Sequence, residues 1–195
     1  MISEKIDAPF RVVTIGDESV GKTSITNRII DNTFNPHEPG TVGANYQQIE
    51  KTIDGEKITI QIWDTAGQEK FQSLSPIYFR NASAAIIVFS LVNKVTFEKL
   101  DSWISCFTEI AGINSKIFIV ANKSDLVDEY EISIDEAKDW AQSRNYPLYV
   151  TSAYKGDGIL QMFDDLANEL FKNKDSFTHH NNNKIIDNEN KGGCC

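Results

Sequence analysis

Gly16-Asp17-Glu18-Ser19-Val20-Gly21-Lys22-Thr23 has the form Gly-x-x-x-x-Gly-Lys-Thr. A run of this kind can hold phosphate. Its glycines let successive backbone N–H groups turn inward on an anion, and a helix starting at its end adds partial positive charge. Lys22 would bring a point charge to the β- and γ-phosphates of a nucleotide, and the Thr23 hydroxyl would ligate Mg²⁺. The pattern carries this meaning only between a strand and a helix. Val12-Val13-Thr14-Ile15 before it reads as a strand, and Ile25-Thr26-Asn27-Arg28-Ile29-Ile30 after it suits a helix.

Three further segments follow. Ile60-Gln61-Ile62-Trp63-Asp64-Thr65-Ala66-Gly67-Gln68-Glu69 ends a strand with an acid and then a glycine. Such an Asp, here Asp64, serves the Mg²⁺ shell in phosphate-loop enzymes. The Gly67 N–H would approach a γ-phosphate, and the Gln68 amide can orient an attacking water. Asn122-Lys123-Ser124-Asp125 follows another apolar strand. A carboxylate there can accept two hydrogens from guanine, at N1 and the 2-amino group. Adenine offers neither, and the wrong base would leave a buried acceptor unpaired. A plain turn is the alternative, since Asn, Ser and Asp all favour turns. Third in series, the base-recognition reading prevails. Thr151-Ser152-Ala153 would bring backbone N–H groups to guanine O6.

The elements that must place these segments alternate between strands and helices, which predicts an α/β fold with a mostly parallel sheet. Strands are expected at Phe10–Gly16, Asn45–Ile53, Glu56–Asp64, Ala84–Phe89, Ile117–Ala121 and Leu148–Val150. Asp54-Gly55 is a tight-hairpin signal between the second and third. Helices are expected from Lys22 to about Asp31, along Phe97, Leu100, Trp103, Ile104, Phe107, Ile110 and Ala111, and from the capping box Ser133-Ile134-Asp135-Glu136 through Arg144. The first of those stripes is read as a face packed on the sheet. A last helix buries Ile159, Met162, Phe163, Leu166, Leu170 and Phe171. Beyond Phe171 the pattern stops, and residues 172–193 are too polar to offset their ordering entropy. The expected organisation is a short lead at 1–8, one domain at 9–171 and a tail at 172–195.

The net charge of −9 argues against nucleic acid as a partner. The charge is uneven: residues 172–195 hold four lysines and three acids, and the remainder 15 basic and 25 acidic side chains. No apolar run approaches a membrane span, and Met1–Ala8 is too charged and short for a signal peptide. Ile2 excludes N-myristoylation. These features predict a cytosolic chain. Cys106 reads as a small buried hydrophobe, and no cysteine spacing suits a metal or a disulfide framework.

In order and spacing, the four motifs resemble the Ras-superfamily small GTPases. Trp63-Asp64-Thr65-Ala66-Gly67-Gln68-Glu69, the flanking Phe71–Arg80 and the terminal Cys194-Cys195 are similar to the Rab family. Ser73-Leu74-Ser75-Pro76 and Thr41-Val42-Gly43-Ala44 resemble its endocytic branch. The resemblance spans about residues 9–171 plus the tail cysteines. It implies a phosphate-loop G domain: a six-stranded, mostly parallel sheet with helices on both faces and one antiparallel edge strand. GTP or GDP with Mg²⁺ would lie against Gly16, Glu18, Ser19, Val20, Gly21, Lys22, Thr23, Ser24, Phe34, Thr41, Gly67, Asn122, Lys123, Asp125, Ser152, Ala153 and Tyr154. Phe34 would stack on guanine. Thr23, Thr41 and Asp64 would serve the metal, and Gln68, Lys22, Thr41 and Gly67 would serve hydrolysis.

The same resemblance makes residues 32–44 and 65–79 switches ordered by the γ-phosphate. Tyr46, Trp63 and Tyr78 match an effector-facing aromatic triad. It implies effectors, an exchange factor, a GTPase-activating protein that supplies an arginine, a GDP-dissociation inhibitor and a prenyltransferase escort. The chain would be a monomer. Cys194-Cys195 departs from the C-a-a-X form and matches the pattern for two geranylgeranyl groups, which suffice for stable anchoring where a near-neutral tail does not. The expected location is the cytoplasmic face of intracellular membranes, endosomal, with a cytosolic pool. Three departures stand out. Glu18 takes a position usually small or Gln, Glu38 one where many relatives place an aromatic, and Tyr154 a frequent Lys. Glu18 is expected to slow hydrolysis; equal single-turnover rates for the native chain and Glu18→Ser would remove that expectation. A GTP-bound tether that does not hydrolyse, and a small phosphate-loop kinase, are the competing readings. The kinase lacks an arginine-rich lid and leaves Asn122–Asp125 unexplained.

Overall fold

The computed structural model describes residues 8–41, 43–65 and 75–177. Its elements run β1 (Phe10–Ile15), α1 (Lys22–Asp31), β2 (Ala44–Ile53), β3 (Glu56–Thr65), α2 (Ser75–Phe79), β4 (Ala84–Ser90), α3 (Lys94–Glu98), α4 (Leu100–Ala111), β5 (Lys116–Asn122), α5 (Ile134–Ser143), β6 (Leu148–Val150) and α6 (Ile159–Lys172). The six strands form one sheet in the order β2-β3-β1-β4-β5-β6. All neighbours are parallel except β2 and β3, so the antiparallel strand lies at the edge. Asp54 and Gly55 both take positive φ (51° and 84°), as a two-residue hairpin turn requires.

Alternate residues of each strand feed two cores. On one face Val12, Ile60, Ile62, Ile86 and Val88 meet Ile25 and Ile29 of α1 and Met162, Phe163, Leu166 and Leu170 of α6. On the other, Val13, Ile15, Ile87, Phe89 and Ile119 meet Leu100, Ile104 and Phe107 of α4 and Ala137 of α5. Every residue of β4 is buried, as a central parallel strand covered on both faces demands. The Ser133 hydroxyl accepts from the Glu136 N–H and caps α5 as the sequence indicates.

Two expectations need correction. The periodic stripe from Phe97 to Ala111 is not one helix. It breaks at Lys99, whose ψ of −3° separates α3 from α4. Helical spacing of apolar residues persists through such a break, so periodicity cannot reveal it. Order also extends past Phe171: α6 runs to Lys172, Lys174 pairs with Glu56, and Phe177 meets Phe10 edge-on at 5.9 Å. That isolated phenylalanine in a polar run is enough to seat a further turn. Residues 1–7 and 178–195, including Cys194 and Cys195, lie outside the described residues.

The carboxyl ends of β1, β3, β5 and β6 open on one edge of the sheet. Strand order reverses about β1, which sits between β3 and β4, and such a switch point leaves a crevice for a ligand.

Candidate active site

A cleft of about 640 Å³ lies at this edge, lined by the loop after β1, residues 34–41, the turn after β5 and Ala153-Tyr154. The phosphate loop owes its shape to two close approaches. A Cβ on Gly16 (φ 137°) would sit 2.2 Å from the Val88 carbonyl oxygen, and one on Gly21 (φ 98°) 2.3 Å from Asn122 Nδ2. Ser19, between them, is left-handed at φ 61°. Gly21 caps α1 with no side-chain acceptor, so the first N–H groups of that helix remain for a ligand. Glu18, Ser19, Lys22, Thr23 and Ser24 all line the cleft.

Lys22 is buried, and its Nζ donates to the carbonyls of Gly16 (3.1 Å) and Asp17 (2.7 Å). Burial pulls its pKa down to about 8, against the opposing charges of Asp64, Asp17 and Glu18. The Asp17 carboxylate takes Lys99 Nζ at 2.7 Å and Trp103 Nε1 at 2.9 Å. The break between α3 and α4 thus grips the phosphate loop. Trp103, read from sequence as plain core, is half-buried and makes a polar bond.

Thr23, Thr41 and Asp64 come together as the metal reading requires. Thr23 Oγ1 donates to Asp64 Oδ2 at 2.7 Å, Thr41 Oγ1 to the same oxygen at 3.3 Å, and the two hydroxyls are 2.9 Å apart. Burial raises the Asp64 pKa, opposed by the Thr23 bond and the Lys22 charge, and the Glu38 carboxylate raises it further. Asp64 Oδ1 is buried with no hydrogen-bond partner among the described residues. Hard oxygen donors converging on one point, with an unspent carboxylate oxygen, suit Mg²⁺ with retained waters.

At the other end of the cleft Asn122 ties three segments together. Its Nδ2 donates to the Val20 carbonyl (2.9 Å), and its Oδ1 accepts from the Ala153 N–H (3.1 Å) and Thr151 Oγ1 (3.2 Å). Ser152 Oγ donates to Asp125 Oδ1 at 2.6 Å and orients that carboxylate. Lys123 is left-handed (φ 69°), and burial lowers its pKa against the charges of Asp125 and Glu129. Phe34 meets Tyr154 edge-on, with ring centroids 5.5 Å apart.

The expected amides of Thr151-Ser152-Ala153 are engaged elsewhere. Their N–H groups donate to the Ala121 carbonyl, the Asp157 carbonyl and Asn122 Oδ1. Local sequence could not show this, because the acceptors come from β5 and from the turn before α6. Of the expected nucleotide residues, Gly16, Val20 and Ser152 shape the cleft from behind, whereas Phe34, Thr41, Asn122, Lys123, Asp125, Ala153 and Tyr154 line it. Gly67 and Gln68 lie outside the described residues. Arg28, read from sequence only as part of the helix after the phosphate loop, holds the carbonyls of both Ala153 and Tyr154. Tyr46, Trp63 and Tyr78 form one aromatic run, with centroids 4.9 and 5.8 Å apart, beside exposed Ile77.

A phosphate loop at the switch point, an oxygen cluster beside it and a seated carboxylate at the far wall define the G domain of a small GTP hydrolase. Residues 11–172 match the model of the Ras family. Mouse Ras-related protein Rab-21 is 34% identical over 95% of this chain and 91% of its own length. Arabidopsis thaliana Ras-related protein RABA4a is 34% identical over 87% of this chain and 75% of its own. Dictyostelium discoideum putative ras-related protein Rab-5B is 35% identical over 87% and 78%. The chain belongs to the Ras family, and within it to the Rab small GTPases of the endocytic branch, which act in membrane trafficking.

Proposed function

We propose that the chain is a GTP/GDP switch on the cytoplasmic face of endosomal membranes, with a cytosolic pool. The observation that carries this is Thr41. A residue of the irregular segment after α1 reaches the Thr23 and Asp64 oxygens, so the conformation of residues 32–41 is tied to the metal and γ-phosphate position. Loss of the γ-phosphate would release that segment.

Hydrolysis joins a water oxygen to the γ-phosphorus and breaks its bond to the β–γ bridging oxygen, which leaves on GDP. Gln68 would orient the water, and the Gly67 N–H would serve a γ-phosphate oxygen. Lys22 and the loop amides stabilise charge on the β- and γ-oxygens. Thr23, Thr41 and Asp64 would hold Mg²⁺, which would neutralise phosphate charge. Asp125 selects guanine, Ser152 orients Asp125, and Phe34 covers the base. An arginine from an activating protein completes the charge stabilisation, so the intrinsic rate is slow.

In the GTP state the two switch segments and the Tyr46, Trp63 and Tyr78 surface recruit effectors. An exchange factor reloads the chain. Two prenyl groups on Cys194 and Cys195, added with an escort protein, anchor it, and a dissociation inhibitor extracts it. Nucleic acid is no partner of so acidic a chain, and it works as a monomer. No helix among the described residues is long and apolar enough to cross a membrane.

The test is single-turnover hydrolysis of GTP with Mg²⁺, beside Gln68→Leu. The expected result is slow turnover, reduced at least tenfold by the substitution. GTP bound but hydrolysed by neither protein would overturn the switch in favour of a permanent GTP-bound tether.

A further inference from the structure

Arg28 stands behind the cleft rather than in it. From α1 its Nε donates to the Ala153 carbonyl at 2.8 Å and its Nη2 to the Tyr154 carbonyl at 2.7 Å. Its Nη1 donates to the Asn32 carbonyl at 2.8 Å. Asn32 is the left-handed residue (φ 53°) that ends α1 and turns the chain toward Phe34. The guanidinium carbon lies 5.9 Å from the Phe34 ring centroid. One side chain thereby reaches both segments that flank the proposed base position, across 125 residues of sequence.

The peptide geometry gives these bonds a consequence. A trans peptide carries its carbonyl and N–H on opposite edges of one plane. With the Ala153 carbonyl drawn to Arg28, the Tyr154 N–H is turned away from it. Asn32 fixes where the Phe34 segment departs, and Phe34 in turn abuts Tyr154. Three carbonyls in different directions need a planar fork with several donors, which an ammonium cannot supply with the same geometry.

We propose that Arg28 is a positioning residue for the guanine base. It clasps the Ala153-Tyr154 loop to the Phe34 segment, so the two walls of the base site open together and only when it lets go. This rests on reading the cleft as a guanine-nucleotide site.

The test loads the full chain with a fluorescent GDP analogue and follows release in millimolar Mg²⁺ and in excess EDTA. The proteins compared are wild type, Arg28→Met, Arg28→Lys, Phe34→Leu and the Arg28→Met, Phe34→Leu double variant. Losing charge-assisted bonds at three carbonyls should speed release by about tenfold or more. Release should be faster both with and without Mg²⁺, because the bonds removed lie at the base end of the cleft. Phe34→Leu should also release faster, and the double variant should be within about twofold of the faster single, as coupled walls require. Arg28→Lys should fall between. Three results would each overturn the inference: unchanged release, acceleration confined to one of the two conditions, or a double variant equal to the product of the singles. If Arg28→Met does not fold, Arg28→Lys is judged by the same criteria. A wild-type chain that binds no guanine nucleotide would instead remove the reading of the cleft itself.

Discussion

Glu38 accepts a hydrogen bond from Asn27 Nδ2 at 3.4 Å, and Thr41, three residues on, meets Thr23. Asn27 and Thr23 are four residues apart on α1 and share a face. The segment 38–41 is therefore laid along one face of α1, with the Glu38 carboxylate one helical turn from the Thr23, Thr41 and Asp64 oxygens. Its charge is felt at Asp64. The sequence marks Glu38 as a departure from its relatives but gives no direction for the effect, which becomes derivable only from this placement. A carboxylate there attracts a bound cation and repels phosphate when the cation is gone. Glu38→Gln should raise the Mg²⁺ concentration needed to retain GDP by about fivefold and slow release in EDTA, as a unit charge several ångströms away in a partly screened site implies. A Mg²⁺ titration of GDP release checks this; a superimposable curve would rule the effect out.

At the scale of elements, the break at Lys99 matters more than the helices it separates. It turns Lys99 and Trp103 toward Asp17, whose own carbonyl holds Lys22. Trp103→Phe keeps the ring and removes one bond to a carboxylate. The expected cost is about 1.5 kcal/mol, or a melting temperature lower by about 3–6 °C, with weaker GDP binding because the loop loosens. Calorimetry on the GDP-loaded chain and a GDP titration would measure both, and melting that fell without any change in affinity would confine the bond to stability. The site motifs were legible in sequence because each is contiguous and begins where an apolar strand ends. Arg28, Lys99 and Trp103 were not, since their partners lie 125, 82 and 86 residues away and nothing in their own surroundings marks them. The strands and α1 were legible for the same local reason, whereas a one-residue kink that spares the apolar stripe was not.

Across the whole molecule, α6 closes the core by holding the start of β5. Glu169 pairs with Lys116 at 2.9 Å, and that bond keeps its carboxyl below the ordinary value of 4.5, with burial opposing. A depressed carboxyl contributes stability that is present above its unfolded pKa and lost as pH falls through the lower folded value. Glu169→Gln should therefore melt lower than wild type at pH 7, and the gap should narrow as the pH falls below the ordinary carboxyl value of 4.5. Melting curves over that range check the sign; a gap that widened in acid would refute it.

Asn122 has a consequence for the kind of ligand this molecule can hold. Its one amide joins the phosphate loop to the base loop, through the Val20 carbonyl on one side and Ala153 and Thr151 on the other. The two halves of a bound nucleotide would thus be gripped by parts that set each other's positions. A guanosine or a pyrophosphate alone meets only half of a mutually dependent frame, so the summed grip on the fragments falls well short of the grip on the whole nucleotide. A chain built this way responds to an intact guanine nucleotide as a unit and discards the pieces.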